Sequence, residues 1–279
     1  MLVEEESEMS RCPRLLAVAT LLLSAIFAGL VGAAESPALT TEQIREFLLT
    51  AEVVAAEPIG RGVTHPWRLT LSDGKVTHDA AFHSVNESSP LSPNSQRGEP
   101  TFIDSSRYNV AAYRLAEILG LDDMMPVTVA REWRGMAGAI SWWIDTAWDE
   151  GTRLSEHRWP DDMRTWSDQM YRMLVFAELV HDTDRNLGNT LYTADWKLWM
   201  IDFSRSFLVW GGLRQPENIT RCDRALFAEL QQLTRAEVER KTRPFLTLAE
   251  IDALFERRDR LVDHIEKLIA GAGGLSPLY

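Results

Sequence analysis

Residues 181–207 read HDTDRNLGNTLYTADWKLWMIDFSRSF. Within this stretch Asn189 follows Asp184 by five residues, and Asp202 follows Asn189 by thirteen. The apolar run Leu198-Trp199-Met200-Ile201 lies just before Asp202 and indicates a short strand. Two carboxylates and an amide are thus spaced around a predicted strand pair, which favours a polar site over a plain surface turn rich in Asp and Asn.

Transfer of a phosphoryl group from ATP requires a carboxylate that orients the acceptor hydroxyl and oxygen ligands that hold Mg²⁺. The segments DRNLGN and MIDFS resemble the D-R-x-x-x-N and I-D-F-G segments of the protein-kinase-like superfamily. Within it they are most similar to the phosphatidylinositol 3-/4-kinase-like, HipA-like and secretory-pathway kinases. The resemblance implies that Asp184 is the catalytic base and that Asn189 and Asp202 bind the metal. It also implies that Arg185 and Asn186 support the catalytic loop.

The resemblance extends upstream, over about residues 52–207. Residues 108–132, YNVAAYRLAEILGLDDMMPVTVARE, are similar to the regulatory helix and following strand of these families. Gly60 and Gly62 separate two strand patterns and are expected to cover phosphates with backbone N–H groups, although an ordinary hairpin has the same pattern. Trp142 ends the fifth predicted strand, where these kinases seat adenine, or else it belongs to the core.

Two positions depart from the kinase pattern. Kinases of this fold place a Lys on the third strand and pair it with a Glu on the next helix. Here those positions hold His83 and Asn109, both of which we assign to nucleotide binding. Either His83 or the nearby Lys75 replaces the missing cation, or nucleotide binding is weak. An active kinase and a catalytically inactive pseudokinase that serves as a binding module therefore both remain open.

The order of the patterns predicts an α+β fold with two lobes. Strand-like runs at 52–85 and 126–145 predict five antiparallel strands around one helix that ends at Gly120. The Ser-, Pro- and Asn-rich segment 86–100 predicts a surface loop. Three- and four-residue apolar spacing then predicts helices. We assign residues 35–147 to the amino-terminal lobe and 148–279 to a helical carboxy-terminal lobe that carries the catalytic loop.

Residues 1–34 have the pattern of a leader. Residues 15–34 carry no charge, follow Arg11 and Arg14, and end in small residues. This pattern is typical of a signal peptide, or of an anchor that tethers the protein to a membrane, because 20 helical residues span roughly 30 Å. Both interpretations place the domain outside the cytoplasm.

Composition limits the function classes. Hydrophobic residues make up 45% of the 279 and charged residues 25%, which excludes a disordered chain. The net charge of −12 argues against nucleic acid as a partner. The function expected is an exported phosphotransferase that uses ATP and Mg²⁺ on a hydroxyl acceptor of unidentified class, with the pseudokinase as the alternative.

Overall fold

The computed structural model describes residues 39–60, 65–89, 102–273 and 276–279. The leader and Gly62 lie outside these ranges. In chain order the elements are α1 (Thr41–Thr50), β1 (Glu52–Pro58), β2 (Trp67–Ser72), β3 (Thr77–His83), β4 (Asn86–Ser89), β5 (Phe102–Ser105), α2 (Arg107–Leu119), β6 (Thr128–Trp133), β7 (Met136–Trp142), β8 (Trp148–Asp149), α3 (Glu150–Ser155), α4 (Met163–Leu179), β9 (Thr190–Tyr192), β10 (Leu198–Met200), α5 (Arg224–Gln232), α6 (Arg235–Thr242) and α7 (Leu248–Gly271). None of the helices in the described ranges has both the length and the apolar character needed to cross a bilayer.

Five strands form the main sheet in the order β1-β2-β3-β7-β6, and every neighbouring pair is antiparallel. One face is fully buried at four positions, Leu69, Leu71, Phe82 and Ile140. Burial of each of these side chains stabilises the fold by about 1.5–3 kcal/mol. The five-stranded antiparallel sheet predicted from the sequence is confirmed.

Helix α2 packs beside this sheet and ends as predicted. Gly120 is its C-cap with φ of 64°, a left-handed conformation that glycine adopts without the strain of a Cβ. At the other end the Ser106 side chain does not cap the helix. The backbone N–H of Ser106 instead donates to the carbonyl of Val85 at 2.8 Å. This bond joins the start of α2 to the end of the sheet.

Residues 86–89, which their composition predicts as loop, form strand β4 instead. They pair antiparallel with β5, from Asn86 opposite Ser105 to Ser89 opposite Phe102. Cross-strand pairing satisfies backbone groups that a half-buried loop leaves unbonded, and this outweighs the low strand propensity of Asn and Ser. The correction matters because β5 leads directly into α2 and carries a buried carboxylate, Asp104.

The second half of the chain is mainly helical. A small sheet of order β10-β9-β8 lies among the helices, and its β9-β10 hairpin separates the predicted catalytic loop from Asp202. Thr247 and Glu250 form the capping box of α7. Arg257 on α7 is fully buried and donates to the carbonyls of Leu179 and Leu208, so α7 holds the segments on both sides of the hairpin.

Helix α2 is also fastened to the helical half. Glu250 accepts from Arg107 at 2.7 Å and from the hydroxyl of Tyr108 at 2.5 Å. Burial acts to raise the pKa of Glu250, but the hydrogen bonds from Arg107 and Tyr108 outweigh it and lower the pKa below its ordinary value. An ionised Glu250 therefore joins the first turn of α2 to the first turn of α7.

Candidate active site

Backbone hydrogen bonds join the loop 181–189 to the turn 201–207. The N–H of Ile201 donates to the carbonyl of Asn189 at 3.1 Å, and that of Thr183 donates to the carbonyl of Arg205 at 3.1 Å. These bonds bring together the two segments that carry Asp184, Asn189 and Asp202. These bonds satisfy backbone N–H and C=O groups between the helix and the β-hairpin, where no strand pairing is present to bond them.

Arg185 holds the loop and the turn together from one side. Its guanidinium donates to Asp182 at 2.8 Å and to the carbonyl of Ile201 at 2.8 Å, and also to the carbonyl of Asn189. It lies 4.3 Å from the centroid of the Phe203 ring. Arg185 thus has the loop-supporting contacts that the kinase resemblance implies, and it supplies no free charge to the site.

Asn189 is oriented by Asp184. Its amide Nδ2 donates to the Asp184 carbonyl at 2.8 Å, so its Oδ1 is left as an oxygen ligand. The Asp184 side chain is 40% exposed. Its backbone N–H donates to Asp182 at 3.0 Å, which fixes the loop while the carboxylate remains accessible.

Asp202 adopts a left-handed conformation with φ of 55°. Such a conformation is uncommon outside glycine, although Asp tolerates it better than most residues. Its Oδ1 accepts from the N–H of Ser204 at 3.2 Å. Strained backbone of this kind persists where surrounding bonds impose it, and here Arg185 imposes it at the carbonyl of Ile201.

Asn109 contacts the same turn from α2. Its Oδ1 accepts from the backbone N–H of Phe203 at 2.6 Å, and the side chain is 6% exposed. Its Nδ2 and the Nδ1 of His83 are both buried without a partner among the described residues. Asn109 and His83 are therefore not joined to each other through these atoms, and Asn109 acts on the turn.

His83 lies at the end of β3 nearest the Gly60 loop, since Pro58 pairs with Trp67 and Trp67 with Phe82. Its Nδ1 is buried and has no partner among the described residues, which do not include 61–64. Lys75 lies in the turn before β3, at the opposite end of a seven-residue strand, which is about 20 Å away. Lys75 is therefore excluded as the replacement for the missing lysine.

Trp142 lies on the other face of the sheet from His83. It pairs with Ala80, and side chains three positions apart on β3 point to opposite faces. Trp142 stacks on His78 with 3.5 Å between ring centroids and meets Phe47 of α1 edge to face. The structure does not bring Trp142 and His83 together, and its contacts are those of a packed residue.

Two residues that the sequence patterns do not reveal also lie at the site. Asp104 on β5 is 6% exposed, and the neighbouring N–H of Ser105 donates to the carbonyl of Ser204 at 2.8 Å. Burial raises the pKa of Asp104, and the charges of Asp202 and Asp184 raise it further. The second residue, Arg205, places its Nη1 3.6 Å from Asp184 Oδ1.

The donor set fits a hard cation. No group of three His, Cys, Asp or Glu side chains in the described ranges is arranged to hold a metal by itself. Mg²⁺ does not need such a group, because it binds through one or two carboxylates together with phosphate oxygens and water. Two oxygen ligands meet that requirement, the carboxylate of Asp202 and the amide oxygen of Asn189. Asp104 acts on the same place through its field, and its Oδ1 has no partner among the described residues.

A pocket of about 1020 Å³ opens beside Asp184. Its lining includes Asp184, Asn186, Leu187, Trp210, Gln215 and Asn218. Trp210 is 54% exposed and Leu187 is 52% exposed, so the pocket has both apolar and polar walls. Asp184 is thus one of the residues that line a space large enough for a small molecule.

No family model matches the sequence, and no curated protein matches it. Solved structures match its fold. The structure of hydra Fam20 with sugar has a TM-score of 0.65 at 13% identity, covering 86% of this chain and 92% of that one. The Golgi casein kinase has a TM-score of 0.63 at 12% identity, covering 85% and 77%. The same kinase with Mn/ADP bound has a TM-score of 0.60 at 11% identity, covering 84% and 77%.

At such identities a structural match shows the fold. The antiparallel sheet of five strands, the helical second half and these matches together confirm the resemblance drawn from DRNLGN and MIDFS. This chain has a protein-kinase-like fold.

Proposed function

We propose that this protein is a phosphotransferase that moves the γ-phosphoryl group of ATP to a hydroxyl acceptor. The observation that carries the proposal is the position of Asn189. Its side chain is bonded to the carbonyl of Asp184, and its own carbonyl is bonded to Ile201, the residue before Asp202. One residue thus ties the base to the metal-binding turn, as phosphoryl transfer requires.

The roles follow from the accessible atoms. The Asp184 carboxylate accepts the proton of the acceptor hydroxyl while the acceptor oxygen forms a bond to the γ-phosphorus and the bond to the leaving ADP oxygen breaks. Asn189 and Asp202 would hold Mg²⁺, which when bound neutralises charge on the phosphates. A kinase of the same fold crystallised with Mn/ADP supports this assignment of cofactors.

Nucleotide binding in the cleft would use the end of β3. The unpartnered Nδ1 of His83 is a hydrogen-bonding group that the fold leaves for a ligand, and Gly60 begins the adjoining loop. A Cβ built at Gly60 meets no described atom within 4 Å, so the backbone there is open to a close approach. Gly62 belongs to the same proposed phosphate loop.

Thermal unfolding with ATP and Mg²⁺ tests the binding part of the proposal. Ligand at one hundred times its Kd stabilises a protein by about 2.7 kcal/mol. We expect this shift for the wild type and for Asp263→Asn, an exposed control that loses the same charge. We expect none for Asp202→Asn. A wild type that unfolds identically with and without nucleotide contradicts the proposal.

A second measurement separates binding from chemistry. Asp184→Asn should bind ATP and Mg²⁺ as the wild type does, because Asp184 is assigned to the acceptor. Its formation of ADP, with water or an added hydroxyl compound as acceptor, should fall 100-fold or more. Equal ADP formation by the two proteins would remove Asp184 from the role of base.

The replacement of Lys by His83 and of Glu by Asn109 favours a second candidate function, a pseudokinase that binds partners without turnover. These replacements remove the lysine ammonium group that kinases of this fold use to hold the phosphates, together with its carboxylate partner. A pseudokinase would bind nucleotide, and the wild type would form no more ADP than Asp184→Asn. The two measurements above therefore distinguish the candidates.

We also propose that the protein is exported, on the evidence of the uncharged run at 15–34 after two arginines. A fold shared with a Golgi casein kinase is consistent with that route. Expression of the full chain followed by fractionation and amino-terminal sequencing tests it. A mature terminus near residue 35 indicates cleavage, an intact terminus in the membrane fraction indicates an anchor, and an intact cytoplasmic chain overturns export.

A further inference from the structure

The site has no lysine on β3, and this raises the question of which cation contacts the phosphates. Phosphoryl transfer gathers negative charge on the γ-phosphate oxygens, and kinases of this fold meet it with a basic side chain as well as with metal. His83 offers a ring nitrogen as a hydrogen-bonding group, whereas the strand lysine of these kinases offers a full positive charge. A cation from another element is therefore needed.

Arg205 lies where such a cation would act. It is the third residue after Asp202, and its guanidinium is 3.6 Å from the Asp184 carboxylate. Its side chain is 19% exposed, and the ring of Phe102 lies 4.9 Å from the guanidinium carbon. The charge of Asp104 also acts on it, since the two side chains influence each other electrostatically.

The guanidinium of Arg205 is incompletely bonded. Its Nε is buried and has no hydrogen-bond partner among the described residues. The contact of Nη1 with Asp184 is longer than a charge-assisted hydrogen bond of about 2.8 Å. Leaving a buried donor without a partner is costly, which indicates that a ligand is missing from this position.

Other arginines near the site are committed to the protein. Arg185 donates to Asp182 and to the carbonyls of Asn189 and Ile201. Arg107 donates to Glu250 and to the hydroxyl of Tyr108. Nη2 of Arg185 is also buried without a hydrogen-bond partner among the described residues, but Arg185 is ion-paired with Asp182. Arg205 differs from both in that its guanidinium lies beside the carboxylate of the proposed base.

We propose that Arg205 binds the γ-phosphate of the nucleotide and supplies the positive charge that β3 lacks. This inference rests on the proposed function. A guanidinium donates to a phosphate through two parallel N–H groups, and Nε with one Nη forms such a pair. Among the phosphates of the nucleotide we assign the γ-phosphate to Arg205, because the transferred group must lie beside Asp184 and Arg205 already contacts Asp184.

Affinity for nucleotides with and without the γ-phosphate tests the assignment. The probes are ADP and the non-hydrolysable ATP analogue AMP-PNP, each with Mg²⁺, titrated calorimetrically into the full chain. Arg205→Gln should weaken AMP-PNP about 10- to 100-fold, as expected for one charge-assisted interaction, and change ADP by less than about threefold. Arg205→Lys should bind AMP-PNP with an affinity between those of the wild type and Arg205→Gln. Arg260→Gln, an exposed position on α7, is the control for loss of one positive charge.

The outcomes separate this inference from the proposed function. If the wild type binds AMP-PNP and Arg205→Gln binds it equally well, the assignment of Arg205 is wrong while the proposed function stands. Equal weakening of AMP-PNP and ADP also overturns it, because that result indicates a structural role for Arg205. If the wild type binds neither nucleotide, the proposed function fails as well. The conservative Arg205→Lys variant keeps the test valid should Arg205→Gln unfold.

Discussion

Asn109 on α2 accepts a hydrogen bond of 2.6 Å from the backbone N–H of Phe203, a residue 94 positions later in the chain. Kinases of this fold have a Glu at the corresponding position, which pairs with the strand lysine. Here the helix is coupled directly to the turn that carries Asp202. The position of α2 therefore affects the conformation of Asp202 without any salt bridge to β3.

Asn109→Ala is expected to destabilise the protein by about 1–3 kcal/mol, because it leaves the buried N–H of Phe203 without an acceptor. It should also weaken nucleotide binding that depends on Mg²⁺, since the turn that carries Asp202 loses a constraint. Asn109→Asp keeps the acceptor but buries a carboxylate at a position that is 6% exposed, so it should also be less stable than the wild type. Urea unfolding and calorimetry check both effects, and an unchanged Asn109→Ala would show that the bond contributes nothing.

Asp104→Asn should stabilise the protein without ligand and weaken its metal-dependent binding. Burial and the charges of Asp202 and Asp184 raise the pKa of Asp104, which means that the folded protein disfavours its ionised form. Removal of that charge should raise the free energy of unfolding by about 1 kcal/mol. The same charge favours a divalent cation, so nucleotide affinity in Mg²⁺ should fall severalfold. A variant that is less stable and binds normally would indicate a purely structural Asp104.

The loop and hairpin between residues 184 and 202 could be predicted from the sequence because the information that specifies them is local. Asp184, Asn189 and Asp202 lie within nineteen residues, and their spacing reflects one loop and one hairpin. Arg205 lies in the same segment, but only the folded structure shows that its Nε is buried without a partner among the described residues.

The strand that carries Asp104 and the sheet face occupied by Trp142 could not be predicted from the sequence, for a different reason. Strand β5 has four residues, too few for a period-two pattern, and it follows a segment whose composition indicates a loop. The face occupied by Trp142 depends on its register with Ala80 on β3. A shift of one residue in that register would exchange the two faces of the strand, and local sequence does not determine it.

Gly138 on β7 should tolerate no larger side chain. A Cβ there would lie 2.4 Å from the carbonyl oxygen of His83 and 2.7 Å from the ring of Phe82. Gly138→Ala is therefore expected to destabilise the fold by about 2–4 kcal/mol and to displace the end of β3 that carries His83. Gly60→Ala is the matched control, since a Cβ there meets no atom of the described residues within 4 Å. Chemical unfolding of the two variants gives the comparison, and equal stabilities would contradict the packing described.

His181 precedes the catalytic loop and should make stability depend on pH below neutrality. Burial lowers its pKa to about 3, and the charges of Arg257 and Arg214 act in the same direction. In the unfolded chain its pKa is about 6.5, so as pH falls the unfolded state binds the proton first. The stability contributed by neutral His181 is complete above pH 6.5 and is lost progressively towards pH 3.

The loss at pH 5 amounts to about 2 kcal/mol, from 1.36 kcal/mol for each pKa unit. His181→Asn removes the titrating group and suits the backbone, because His181 has φ of 53° and Asn adopts left-handed conformations readily. The unfolding free energy of the wild type minus that of the variant should therefore fall by about 2 kcal/mol between pH 7 and pH 5. Parallel pH profiles would mean that His181 is protonated in the folded protein or does not titrate differently on unfolding, and the burial of a neutral imidazole beneath the catalytic loop would then be wrong.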